Sequence, residues 1–233
     1  MAAVGNNGPP NRAEFVTVKT TLPVRPFLPS AEKEHLVTER LIIRPLVQED
    51  LAGYHSLRLQ PEVMHFSSQG RADKDLAETQ SRLDIFLPPK DTDTYNFALC
   101  LRETGEFIGT GGNHNFSSSL GWPEVGYMIR KEHWGKGLAS EFLKAFVAAW
   151  AKLPREETEL QVDARTVEGL QGVDGRVPEQ LVAVTVITNA RSQSVLRKVG
   201  FESCLTWDVP DHHNPNAMIQ LPTFRFFPAG KTP

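Results

Sequence analysis

A glycine-rich turn between an alternating strand and an amphipathic helix is the segment of this 233-residue chain best suited to chemistry. It runs from Glu124-Val-Gly-Tyr-Met-Ile-Arg130 through Lys-Glu-His-Trp134-Gly135-Lys136-Gly137 into Leu138-Ala139-Ser140-Glu-Phe142. The first turn of a helix has unpaired N–H groups and the positive end of the helix dipole. Glycines remove Cβ atoms, so an anion can approach the main chain. Such a turn can hold a pyrophosphate without a metal ion. The spacing is weak by itself, because Gly109-Thr110-Gly111 repeats it and an ordinary tight turn has the same composition. The strand–turn–helix setting carries the reading. No Gly-Lys-Ser/Thr follows a four-residue spacer, which excludes a Walker loop. A dinucleotide fold expects the glycine turn after the first strand of a parallel sheet. Here it follows three or four strands, two of them in a hairpin.

Other reactive side chains give weaker signals. Glu124 shares a strand face with Gly126 and Met128. Asn189 and Ser192 open a helix ending at Gly200, with Asn189 as its cap. His212 and His213 fall in a loop between two strands; they contact substrate or are simply solvated, and His65 and His114 read the same way. His133 precedes the glycine turn and packs or faces solvent. No histidine pair has metal-ligand spacing. Neither Ser140 nor Ser192 sits in a nucleophile elbow. Cys100 and Cys204 cannot form a disulfide framework or a zinc site and read as buried thiols.

The elements that position these residues follow from periodicity. Leu41-Ile-Ile-Arg-Pro45 is a strand ended by proline. Asp50 caps a helix to about 59, and 74–86 is a second helix. Tyr95–Leu101 and Phe107–Gly112 form a hairpin, and Glu124–Arg130 is the strand feeding the turn. Leu138, Phe142, Phe146 and Trp150 recur every four residues, the clearest helix in the chain. Residues 154–180 are polar and glycine-rich and read in part as a long loop. Leu181–Ile187 is a buried strand. Residues 201–209 and 218–227 are the last strand pair. Residues 1–30 read as a flexible extension, with an added edge strand at Phe15–Val18 as its one possible element, before a folded domain over 31–233. This order suits a mixed α/β (α+β) sheet. With 25 Lys+Arg against 28 Asp+Glu, net −3, no basic surplus points to nucleic acid. No apolar run reaches a membrane-spanning length of roughly 20 residues, and residues 1–12 lack a secretory core. A cytoplasmic location is expected.

Three motifs in order resemble the GNAT N-acetyltransferase superfamily, in the branch of ribosomal-protein N-terminal acetyltransferases. Leu36-Val-Thr-Glu-Arg40-Leu-Ile-Ile-Arg44 is similar to its opening strand. Glu124–Ile129 with Trp134–Glu141 is similar to its acetyl-CoA segment, and Asn189–Phe201 to its second CoA-facing helix. The resemblance implies a mostly antiparallel sheet of about seven strands flanked by about four helices. It implies pantetheine along Met128, Ile129 and Arg130, and a pyrophosphate on the amides of Gly135, Lys136, Gly137, Leu138 and Ala139, with Ser140 nearby. Trp134 stands where the family commonly has glutamine or arginine. Lys136 or Arg130 meets the 3′-phosphate or is a surface cation. Asn189 reaches the pantetheine, caps its helix, or does both. Glu124 is implied as the base acting through water, or is a surface carboxylate. Ser192 is implied as the acid, or bonds the cofactor, since no tyrosine lies in 189–199. The implied activity is acetyl transfer from acetyl-CoA to a primary amine of a small molecule, peptide or protein, with no metal, nucleic acid or membrane, by a monomer or homodimer. The alternative is a catalytically inactive CoA-binding regulatory module.

Overall fold

Apolar alternation builds most of the strands in the computed structural model, which describes residues 14–230 other than 171, 173–174, 212–213 and 215. The strands are β1 (Phe15–Pro23), β2 (Leu36–Val37), β3 (Leu41–Pro45), β4 (Tyr95–Leu101), β5 (Phe107–Asn115), β6 (Glu124–Ile129), β7 (Arg155–Asp163), β8 (Leu181–Val184), β9 (Glu202–Pro210) and β10 (Met218–Phe226). The helices are α1 (Leu51–Arg58), α2 (Pro61–Met64), α3 (Leu76–Leu83), α4 (Leu138–Lys152) and α5 (Ala190–Val199). Eight strands form one sheet in the order β2-β3-β4-β5-β6-β8-β10-β9. All neighbours are antiparallel except β6 and β8, which run parallel and meet at a single residue pair, Glu124 with Val182.

Each face of the sheet buries one helical layer. Phe142, Phe146 and Trp150 of α4 are fully buried against Phe97, Val125 and Ile129. Their rings continue one another, Phe146 on Trp150 at 5.9 Å. On the opposite face, Tyr54 and Leu57 of α1 and Leu83 of α3 cover Ala98 and Cys100, with Met128 against them. Burying each large apolar side chain contributes roughly 1.5–3 kcal/mol, so α4 is the firmest anchor of the strand–turn–helix unit.

Several expectations need correction. Residues 1–30 are not all a flexible extension: β1 is a nine-residue strand paired along its length with β7, from Phe15 opposite Asp163 to Pro23 opposite Arg155. Val18 and Leu22 are buried, and Phe27 packs on Tyr95 at 5.4 Å. Residues 1–13 lie outside the described residues. The 154–180 segment is not a loop at its start, since β7 pairs with β1 in a separate two-stranded sheet. Its glutamates misled the composition reading: Glu157 and Glu159 face solvent while Val162 is buried. Asp50 does not cap α1 with its side chain; it accepts from Arg44 Nη1 and Nη2 at 2.8 and 2.7 Å and from the Val47 amide. The helix expected over 74–86 is the shorter α3, whose start is set by Asp75 accepting the Glu78 amide.

Candidate active site

The strands β6 and β8 diverge from their one shared pair, and the opening between them is bounded by the ends of α4 and α5. Glu124 stands at its vertex. Antiparallel pairing alternates the main-chain direction along β6. The Arg130 amide donates to Ile108 of β5 at 2.8 Å, so the polar groups of Gly126 and Met128 also turn to β5. Those of Val125, Tyr127 and Ile129 turn to the opening. Of the three residues expected to line a cofactor strand, Ile129 presents its main chain to the opening. Met128 sends its side chain into the α1–α3 cluster, and Arg130 pairs with Glu106 at 3.3 Å. Tyr127 belongs with Ile129 and was not anticipated.

At the mouth, Gly135 and Gly137 adopt φ of 73° and 80°, left-handed values that a side chain disfavours. Gly135, Lys136 and Gly137 are exposed, whereas Leu138 is buried and fixes the helix start. The Glu141 amide donates to Gly137 at 3.1 Å, which leaves the amides of Leu138, Ala139 and Ser140 ahead of the first intrahelical bond. The turn is clamped from behind. Arg40 donates to the Lys136 carbonyl at 2.8 Å and to Glu141 at 2.7 Å. Glu141 also accepts from the Thr38 hydroxyl at 2.6 Å and the Arg40 amide at 2.8 Å. Although burial opposes it, these bonds hold the Glu141 carboxyl below its usual range. Arg40 and Arg102 also line, with Lys136, a surface pocket of about 540 Å³ beside the turn. Sequence reading missed this clamp, although Thr38, Arg40 and Glu141 all lie in the quoted motifs.

Trp134 donates its indole N–H to the Ile129 carbonyl at 2.7 Å, and Arg191 of α5 lies 5.2 Å from its ring centre. The two sides of the mouth therefore touch through a cation–π contact. Asn189 caps α5 as expected, its side chain accepting from the Ser192 amide at 3.1 Å. The Ser192 hydroxyl lies 3.0 Å from the Tyr127 hydroxyl. Burial pushes the Tyr127 phenol up to about 12, so it stays protonated at neutral pH and can donate. A tyrosine hydroxyl thus stands beside Ser192 although α5 itself carries none.

The Glu124 carboxylate has no hydrogen-bond or ion-pair partner among the described residues. Desolvation alone pushes its carboxyl up to about 7, the poise a general base needs near neutral pH. The expected loop residues His212 and His213 lie outside the described residues. Among the described residues no cluster of three or more His, Cys, Asp or Glu could hold a metal, and no helix is long and apolar enough to cross a membrane.

Comparison with known proteins gives a consistent picture. The family described as the acetyltransferase (GNAT) domain matches residues 40–202. An uncharacterized N-acetyltransferase, p20 of Bacillus licheniformis, is 30% identical over 122 residues, 49% of this chain and 64% of that protein. Another, YoaA of Bacillus subtilis, is 27% identical over 48% of this chain and 64% of its own length. The match thus spans less than two thirds of these relatives. Among solved structures, a probable GNAT-family acetyltransferase from Chromobacterium violaceum superposes with a TM-score of 0.61 at 15% identity, covering 87% of this chain and 88% of that one. RimL, a ribosomal L7/L12 alpha-N-protein acetyltransferase solved with coenzyme A, gives 0.60 at 14% identity over 83% and 98%. At such identities the structures speak for the fold. With the domain match covering most of the chain and the splayed β6–β8 pair in place, the protein belongs to the GNAT acetyltransferase family.

Proposed function

We propose that the protein transfers the acetyl group of acetyl-CoA directly to a primary amine, on a protein N-terminus, a lysine or a small molecule. The observation that carries this reading is Glu124: a carboxylate at the vertex of the opening with no partner among the described residues, its carboxyl near 7. A passive CoA-binding module has no use for so unfavourable a group.

The residues divide the work. The amides of Leu138, Ala139 and Ser140 would hold the pyrophosphate, with Gly135 and Gly137 keeping the approach clear. The outward amides of Tyr127 and Ile129 can pair with an extended pantetheine and polarise a carbonyl oxygen. The bound substrate supplies a reactive thioester. An acceptor amine, with a pKa of ~10.4 if lysine-like, arrives protonated. Glu124 takes that proton, through water or directly. Tyr127 and Ser192, hydrogen-bonded to each other, donate toward the departing sulfur.

Acetyl-CoA should raise the melting temperature of the full chain, NAD and ATP should not, and Gly137→Glu should abolish the effect by placing bulk and negative charge in the turn. Thiol release in the presence of an amine panel of peptides, polyamines and amino sugars then tests transfer. Stabilisation by acetyl-CoA without amine-dependent thiol release would overturn the transfer reading and leave a binding module.

A further inference from the structure

We propose that His114 and Glu124 form one proton-accepting pair, in which His114 passes to solvent the proton that Glu124 removes from the amine. This goes a step beyond the acetyl-transfer reading and rests on it.

The β5–β6 ladder slips at one place: Asn113 pairs with Val125 and Asn115 with Glu124, leaving His114 as the extra residue of a bulge. Bulges re-aim a side chain. Asn113, fully buried, fixes this one by donating from its side-chain amide to the carbonyls of Asn115 and Glu124, both at 3.0 Å. The His114 imidazole then lies over Gly126. A Cβ built on Gly126 would meet His114 Cε1 at 3.0 Å and Nδ1 at 3.5 Å. Gly126 has no left-handed φ, so its backbone does not demand glycine; the space of the ring does. Gly126 shares its sheet face with Glu124 two residues before it. Bulge, clamp and glycine seat together bring the imidazole onto the face that carries the unpartnered carboxylate.

The two groups differ in a useful way. His114 is exposed, whereas Glu124 is half-buried. Desolvation by the surrounding strands lowers the imidazole pKa, partly offset by a hydrogen bond with the Gly112 main chain, so the ring is neutral at neutral pH and free to take a proton. Other ionisable groups of the elements on this face are engaged elsewhere. On α1, Arg58 pairs with Asp73 and His55 with Thr79. On α2, Glu62 pairs with Lys131, and His65 beyond it packs on Phe66. Strand β8 brings no ionisable side chain, and Arg225 of β10 pairs with Glu202.

The proton count closes. The ammonium loses one proton to Glu124, which hands it to His114 and thence to water. The freed lone pair forms the C–N bond, the C–S bond breaks, and the second nitrogen proton ends on sulfur. The products are the acetamide, the thiol of CoA and one released proton.

The test uses the full chain, His114→Ala, His114→Asn and Glu124→Gln. Histidine Cε1–H resonances are followed by NMR from pH 4 to 9. In the parent, the His114 resonance should show a second inflection as Glu124 ionises, and Glu124→Gln should remove it and lower the imidazole midpoint. Thiol release is then compared for n-butylamine, protonated at neutral pH, and hydroxylamine, already neutral there. Both His114 variants should lower the butylamine-to-hydroxylamine rate ratio by about tenfold or more. A His114 titration indifferent to Glu124→Gln, or equal slowing of both amines, overturns the pairing. Absence of thiol release with both amines in the parent counts against acetyl transfer to amines, and the NMR coupling still decides whether the two groups share a proton.

Discussion

Two carboxylates on the α1–α3 side of the sheet are treated in opposite ways. Asp73, just before α3, is fully withdrawn from solvent and fully answered. Arg58 binds it at 2.6 and 2.8 Å, the Thr79 hydroxyl donates at 2.7 Å and Gln69 at 2.8 Å. Burial works to raise its pKa, yet these bonds win and bring it down to about 2. Glu124, at the vertex of the β6–β8 opening, is half-buried and desolvated with no compensating donor among the described residues, and sits near 7. The difference teaches what burial alone cannot: a carboxylate provided with donors stays ionised and holds structure, and one deprived of them binds a proton more tightly. The first costs little to keep ionised; the second is destabilising whenever charged.

The sharpest way to break this contrast is to remove Asp73. Asp73→Ala leaves the Arg58 guanidinium buried and unpaired and is expected to cost about 3–5 kcal/mol, read as a lower urea midpoint at unchanged slope. A loss below about 1 kcal/mol would make the node ornamental and the contrast empty. The complementary change, Glu124→Gln, should leave folding and acetyl-CoA affinity intact while lowering turnover about a hundredfold, or ~2.7 kcal/mol in the barrier. A drop in affinity instead of turnover would move Glu124 from chemistry to binding. A smaller effect is expected at the leaving-group side. Tyr127→Phe should reduce turnover about tenfold, ~1.4 kcal/mol, because Ser192 keeps a hydroxyl at the same place. The double variant with Ser192→Ala should lose more than the product of the single effects, since each hydroxyl covers for the other across their 3.0 Å contact.

The same contrast explains what was legible in the sequence. Local signals survived. The four-residue recurrence from Leu138 to Trp150, the glycine turn before it, and the Asn189 and Gly200 caps of α5 stand as read, because helices and caps are written within a few residues. Long-range pairings were not legible. The β1–β7 sheet joins Phe15 to Asp163, and neither strand announces its partner; the glutamates of β7 resemble a loop until one face is seen to be covered. The site followed the same rule. The glycine turn is contiguous and has the left-handed glycines and helix start that its residues announce. The contact of Tyr127 with Ser192 spans 65 positions, and the direction of His114 depends on a bulge fixed by the neighbouring strand. Glu124 was singled out, but only the fold shows that no described residue neutralises it.

The smallest effect is also the most discriminating, because it asks whether Glu124 is held at an energetic disadvantage. A carboxyl raised from 4.5 to about 7 in the native protein binds its proton more tightly folded than unfolded. Its contribution is fully present below pH 4.5 and is lost as pH rises through 7. Asp73 has the opposite sign: its contribution is present above pH 3.8 and is lost as pH falls through about 2. Glutamine at position 124 stays neutral throughout. Glu124→Gln should therefore match the parent at pH 4.5 and exceed it above pH 7. The shift corresponds to at most ~3 kcal/mol, and access of water to the half-buried carboxylate reduces the expected gain to about 1 kcal/mol. Paired denaturation curves at pH 4.5 and 8 measure it. Equal offsets at both pH values would show that Glu124 is as comfortable in its charge as Asp73, and the distinction between a structural and a poised carboxylate would fail in this protein.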